Sequence, residues 1–149
     1  GTDVTGGVVF SGSFGSNGFV ARYDDTGQLA WNHDLIRAAQ KDTFYVVSLI
    51  VDEEIVIGGG LQGSVDFGGG ALVTPPDQQR PYLARYDLAG AHLASATQDH
   101  ATWARFISGD RGPDGELALL GDFRGVLDLG DGPRMALGDN DIFIHRAQP

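Results

Sequence analysis

The chain has 149 residues, with 20 Asp and Glu against 10 Lys and Arg for a formal charge of −10, no cysteine, and 23 glycines. The acidic balance disfavours a nucleic-acid partner, which needs a basic stripe that this sequence does not carry, and the lack of cysteine removes disulfides and thiolate metal sites. No stretch approaches the ~18 consecutive apolar residues of a membrane-spanning helix, and glycine at about twice its ordinary share predicts many tight turns rather than an α-rich fold.

The first predicted strand is the apolar run Val8-Val9-Phe10, closed by Gly12-Ser13-Phe14. After Gly15-Ser16-Asn17-Gly18 comes the phrase Phe19-Val20-Ala21-Arg22-Tyr23-Asp24, then a turn over Asp24-Asp25-Thr26-Gly27 and a strand over 28–32. The turn has a mechanism: the first Asp caps backbone amides, and the fourth-position Gly takes the left-handed conformation that a short hairpin needs. Residues 35–41 have helical composition and predict at most a turn or two of helix in a linker.

A β-branched and aromatic run over 43–50 then suits a buried strand. Residues 54–61 pair back against it, and Gly58-Gly59-Gly60 marks a bulge or a close backbone approach. A Gly-rich hairpin follows over 63–70, then a break at Pro75-Pro76, a strand over 82–87, the turn Asp87-Leu88-Ala89-Gly90 and a strand over 91–96. The remainder repeats this order, with strands over 103–108, 116–123 and 142–147 and a second Gly-rich hairpin over 125–132.

Two phrases keep time along the chain. Phe19-Val20-Ala21-Arg22-Tyr23-Asp24 returns as Tyr82-Leu83-Ala84-Arg85-Tyr86-Asp87, 63 residues on, and as Phe143-Ile144-His145-Arg146 after a further 61. Gly12-Ser13-Phe14 returns as Gly59-Gly60-Leu61 and Gly121-Asp122-Phe123, each closing an apolar run. A fixed period of this length means copies of one supersecondary unit. Four antiparallel strands per unit is the anatomy of a propeller blade, so the expected fold is all-β: four-stranded β-propeller blades in about two and a half repeats. The expected organisation is a single repeat domain over 1–149, with a partial repeat lacking its hairpin over 1–42, a full one over 43–101 and a partial one over 102–149. Circular repeat folds must close, which predicts an incomplete propeller or one completed by self-association.

These phrases resemble the β-propeller repeats of secreted and surface proteins of bacteria. Units of that family read as a Gly-rich strand, a Gly-x-x-Asp-Phe-Gly-Gly-Gly hairpin, an Asp-x-Phe-Val-Ala-Lys-Tyr-Asp strand and a Gly-x-x-x-Trp strand. The counterparts here are Gly63-Ser64-Val65-Asp66-Phe67-Gly68-Gly69-Gly70, the phrases over 17–24 and 141–146, and Gly27-Gln28-Leu29-Ala30-Trp31. Arg stands where the family usually has Lys, the first copy lacks its hairpin, and the unit is longer than the common one. The resemblance spans nearly the whole chain and implies a secreted, periplasmic or cell-surface location in a bacterium. None of its phrases is catalytic, so it implies no enzyme.

Site candidates come from the repeats and the turns. Arg22, Arg85 and Arg146 share one position of the third strand and one face of their sheets; they are expected either to pair with an acid of the adjacent blade or to form a guanidinium ring for an anion. Trp31 and Trp103 are candidates for stacking on sugar rings, against the alternative of packing between blades. Asp128, Asp131, Asp139 and Asp141 offer oxygens in glycine-flanked turns of the kind a hard cation such as Ca²⁺ takes, although capping of local amides is the favoured reading. His33, His92, His100 and His145 have no metal-ligand spacing. No nucleophile elbow or phosphate loop is present, so no catalytic residue and no cofactor is assigned.

The expectation is a non-enzymatic binding or scaffolding module with a protein or glycan partner. The first alternative is a polysaccharide hydrolase or lyase, using carboxylates ~5 to 9 Å apart from separate blades, for which the adjacent Asp52, Glu53 and Glu54 form a poor set. The second is a structural, self-assembling repeat unit, a homo-oligomer.

Overall fold

A computed structural model of the chain describes residues 1–14, 17–98 and 100–147; Gly15 and Ser16 of the first loop lie outside them, as do the side chains of Ser48, Leu49, Ile50 and His100. The described chain is strand and turn, in three main antiparallel sheets and a small hairpin. The first sheet joins β1 (Val8–Phe14), β2 (Asn17–Tyr23) and β3 (Leu29–Leu35) in sequence order. In the second, β6 (Glu54–Gln62) pairs on one side with the short β4 (Thr43–Phe44) and with β5 (Val47–Val51). On its other side it pairs with β9 (Arg80–Asp87), which pairs with β10 (His92–Thr97). Between β6 and β9 stands the separate hairpin of β7 (Ser64–Asp66) and β8 (Ala71–Val73). The third sheet pairs β12 (Leu117–Asp128) with β11 (His100–Arg111), with β13 (Arg134–Met135) and with β14 (Asp141–Ala147).

Strand periodicity explains how the sheets stack. In β6 and β9 the register sets Ile55 beside Tyr86 and Ile57 beside Ala84, so Ile55, Ile57, Tyr82, Ala84 and Tyr86 share one front face, all fully buried. That face packs on Val9, Val20 and Leu35 from the back of the first sheet. The back face of the second sheet, through Val56 with Val47 and Leu83, meets Ala104, Phe106, Leu119, Phe123 and Phe143 from the front of the third. Each seam therefore joins the back of one sheet to the front of the next, using repeat-equivalent positions. The middle sheet is covered on both faces, which is why β6 reads as a continuous apolar run instead of alternating.

The β7–β8 hairpin closes over the first seam. Val65 and Phe67 enter that core, Phe67 lies 4.7 Å from the Tyr82 ring, and its carbonyl accepts a 2.8 Å hydrogen bond from the Tyr86 hydroxyl. Burial raises the Tyr82 and Tyr86 phenols above their ordinary range, so both stay protonated donors. The Tyr82 hydroxyl donates to the Tyr45 carbonyl at 3.0 Å. The expected turn chemistry is present: Asp24 accepts from the amides of Thr26 and Gln28, Asp87 from that of Ala91, and Gly27 and Gly90 have φ of 80° and 88°.

Three expectations change. The helical linker over 35–41 is not helix: Leu35 ends β3, Arg37 bridges to Val65, and the Ala38 amide donates to the Ser64 carbonyl. The Asp42 carboxylate takes the amides of Ala39 and Ser64, so the hairpin, not a helical turn, satisfies this backbone. The strand expected over 43–50 is two strands, β4 and β5, broken where the Tyr45 carbonyl turns towards the Gly59 backbone; a methyl group on Gly59 would collide with that oxygen. The glycine run over 58–60 is thus a close approach. The second Gly-rich hairpin, expected over 125–132, is not separate, since β12 runs unbroken to Asp128 and β13 pairs with Val126 and Leu127.

Candidate binding surface

Each recurrent arginine is engaged by a nearby acid. Arg85 holds Glu54 through two hydrogen bonds of 2.8 and 2.9 Å, and Arg146 lies 3.2 Å from Glu116, the equivalent acid one repeat on. Arg22 pairs with Asp3 at 2.7 Å and donates to the Thr5 hydroxyl. The acid comes from the neighbouring strand or the segment before it, not from the adjacent sheet as the sequence suggests, because the third strand ends beside the start of the second. Burial by itself raises the Asp3 carboxyl, but the bonds from Arg22, from the Thr5 hydroxyl and amide and from the Gly7 amide outweigh it and hold it at about 2.

The acidic turns cap themselves. Asp128 accepts from the amides of Gly130 and Gly132 at 2.8 and 3.2 Å, as Asp66 does from Gly68 and Gly70 one repeat earlier. Asp131 pairs with Arg134, Asp141 accepts from the Leu137 amide at 2.7 Å, and Asp139 is exposed. Among the described residues no group of three or more His, Asp or Glu converges as a metal site. Of the clustered acids of the 52–54 turn, Glu54 belongs to Arg85, and Asp52 lies 3.7 Å from Arg111 beside an open polar concavity of about 440 Å³.

The two tryptophans differ. Trp31 is spent between sheets: its indole N–H donates to the Leu88 carbonyl at 3.0 Å, and its ring covers Gly90. His33 lies beside it, bonded to the Gly90 carbonyl at 2.7 Å and stacked on Tyr86 at 5.3 Å. Trp103 is half-buried at a sheet edge. Strand β11 puts Trp103 and Arg105 on one side, and register places Arg124 opposite Trp103 and Asp122 opposite Arg105. The Arg124 guanidinium lies 4.5 Å from the Trp103 ring centre and that of Arg105 5.5 Å, while Arg105 is also 5.1 Å from the ring of exposed Tyr45. Asp122 holds Arg105 at 2.9 Å and raises its basicity through that hydrogen bond, and Asn140 accepts from Arg124 at 2.7 Å. The result is a ladder of Tyr45, Arg105, Trp103 and Arg124 along the rim of the second seam, each guanidinium fixed in orientation by a polar partner. Trp103 was legible as a candidate; Tyr45, Arg105 and Arg124 were not.

A different surface lies on the front of the first sheet, where Val8, Phe10, Phe19, Ala21 and Tyr23 line an open apolar concavity of about 580 Å³. His145, half-buried between β12 and the third-sheet hairpin, has its basicity lowered first by burial.

No protein-family model matches the chain, and a search of the curated proteins finds no match.

Proposed function

We propose that the chain is a non-enzymatic binding module: blades of a β-propeller from a secreted or surface-attached bacterial protein, presenting its rim to a glycan or protein partner. The observation that carries this reading is the Tyr45–Arg105–Trp103–Arg124 ladder. Trp, Tyr and Arg are the side chains most enriched at binding hot spots, because they bury large area at small entropic cost and keep polar edges for orientation. Here the guanidiniums are already held by Asp122 and Asn140, so little ordering remains to oppose binding. The guanidiniums stacked on the Trp103 ring offer fixed N–H donors to the hydroxyls of a sugar, and the exposed Tyr45 ring beside them offers an apolar surface.

A glycan array probed with the purified chain tests it, with Trp103→Ala as the control. The expected result is retention of a restricted set of glycans, weakened roughly tenfold or more by Trp103→Ala with an unchanged circular-dichroism spectrum. Binding that survives Trp103→Ala would move the site elsewhere. Release of new reducing ends from a polysaccharide would replace the reading with the hydrolase or lyase one.

A further inference from the structure

The three sheets carry the same residue positions, yet the first and last each leave one face bare that the middle sheet covers. At the front, Phe10 of the first sheet is the counterpart of Ile57 and Leu119; it is 54 % exposed, whereas both counterparts are at 0 %. At the back, Ile144 of the third sheet is the counterpart of Val20 and Leu83. Val20 is at 0 % beneath the second sheet and Leu83 packs beneath the third, while Ile144 is 71 % exposed. Around Phe10 lie Val8, Phe19 and Tyr23 in the apolar concavity, and around Ile144 lie exposed Ile142 and Leu120. One bare face therefore carries apolar side chains at the positions of the covered fronts, and the other carries an apolar side chain at the position that Val20 and Leu83 hold in the covered backs.

We propose that these two faces seat on each other between copies of this chain, the front of the first sheet in one copy receiving the back of the third sheet in the next. The internal seams supply the template, since each is formed by a back face on a front face at these same positions. Such a contact is head-to-tail, and head-to-tail contacts make rings when the rotation closes. Propellers contain about 4 to 8 sheets, so two copies of three sheets close at six, with two identical seams related by a two-fold axis. The occupant of the concavity on this reading is a second copy, through Ile144 and Ile142. Pairing of Asp122 with both Arg105 and Ile142 puts the Trp103 ladder on this same side of the third sheet; the two readings still fail separately, because sizing without glycan reports only the seam and the glycan array reports only retention of sugars.

Light scattering and sedimentation of the 149-residue chain test it, with Phe10→Arg and Ile144→Arg as separate variants. Both side chains are exposed in the single copy, so neither change disturbs its core. The expected result is a concentration-dependent dimer whose dissociation constant rises roughly thirtyfold or more in each variant. Mixing the two variants should restore a weaker dimer, because one seam then joins an intact front to an intact back. A chain that stays monomeric overturns the proposal. So does a dimer broken by Phe10→Arg but indifferent to Ile144→Arg, which would mean that two fronts meet, and so does a mixture that fails to associate.

Discussion

The first and second sheets are built from the same phrases, but one works as an outer layer and the other as an inner one. In the second sheet Ile57, Tyr82 and Tyr86 are sealed between the first sheet and the hairpin, and the Tyr hydroxyls are bound to the carbonyls of Tyr45 and Phe67. In the first sheet the counterparts Phe10, Phe19 and Tyr23 line an open concavity. The same residue types at the same register therefore carry different energetic weight, and what differs is only whether another sheet lies on top. Repetition in sequence marks where a seam can form, not where one has formed.

Glycine gives the sharpest way to break this comparison. A methyl group at Gly59 would collide with the Tyr45 carbonyl, backbone against backbone, with no flexible side chain to yield. At the equivalent Gly12 the nearest atoms are the edge of the Phe19 ring, 3.2 Å from where the methyl would sit, which a small ring rotation relieves. Gly59→Ala is expected to cost about 3 kcal/mol or more, as overpacking against backbone does, and Gly12→Ala under about 1 kcal/mol. Urea unfolding of both variants at low protein concentration measures the difference. Equal costs would mean that the Tyr45 carbonyl does not approach Gly59 as described.

Next in size is truncation at a matched position. Ile57→Ala removes a fully buried side chain and is expected to cost about 2 to 4 kcal/mol. Phe10→Ala, although it deletes a larger side chain, starts from a half-exposed one and is expected to cost under about 1 kcal/mol in the single copy. A rise in the Phe10→Ala cost with protein concentration would itself report the seam between copies.

Much of the fold was legible because its signals are local. The Asp-x-x-Gly turns, the glycine hairpin over 63–70 and the strand runs each carry their own chemistry, and the third-strand phrase tied them into units. The linker over 35–41 misled because composition favours helix while the partners of its backbone, Ser64 and Asp42, sit far along or beyond it. The ladder around Trp103 was hidden by register. Counting back from the turn between β11 and β12, Arg111 faces Leu117 and simple pairing would place Trp103 opposite Gly125; a bulge between Phe106 and Ser108 shifts it to Arg124, and a second between Ala101 and Trp103 restores the count. A one-residue slip of that kind changes which side chains share a face, and nothing in the local sequence announces it. The arginine partners were missed for a similar reason, since Asp3 reaches Arg22 from a loop outside the first sheet.

Those arginine pairs give the smallest contrast, again between the first sheet and an outlying one. Asp3 is buried at 5 % exposure and its carboxyl is held at about 2 against its ordinary 3.8, whereas Glu116 meets an Arg146 side chain that is 76 % exposed. A carboxylate with a depressed pKa stabilises the folded chain fully above its unfolded value and loses that contribution as pH falls towards the folded one. Asp3 should therefore give stability that is complete above about pH 5 and is lost on the way down to about pH 2, amounting to roughly 2 kcal/mol. Asp3→Asn should flatten this part of the stability–pH curve, measured by urea midpoints between pH 6 and the acid limit of folding. Arg146→Ala, by contrast, should shift the midpoint by less than about 0.5 kcal/mol at any pH, since an exposed pair gains little over its hydrated ions. If the Asn variant kept the full acid slope, the bonds from Arg22, Thr5 and Gly7 would not be what holds the Asp3 proton off, and the buried pair would count for no more than the exposed one.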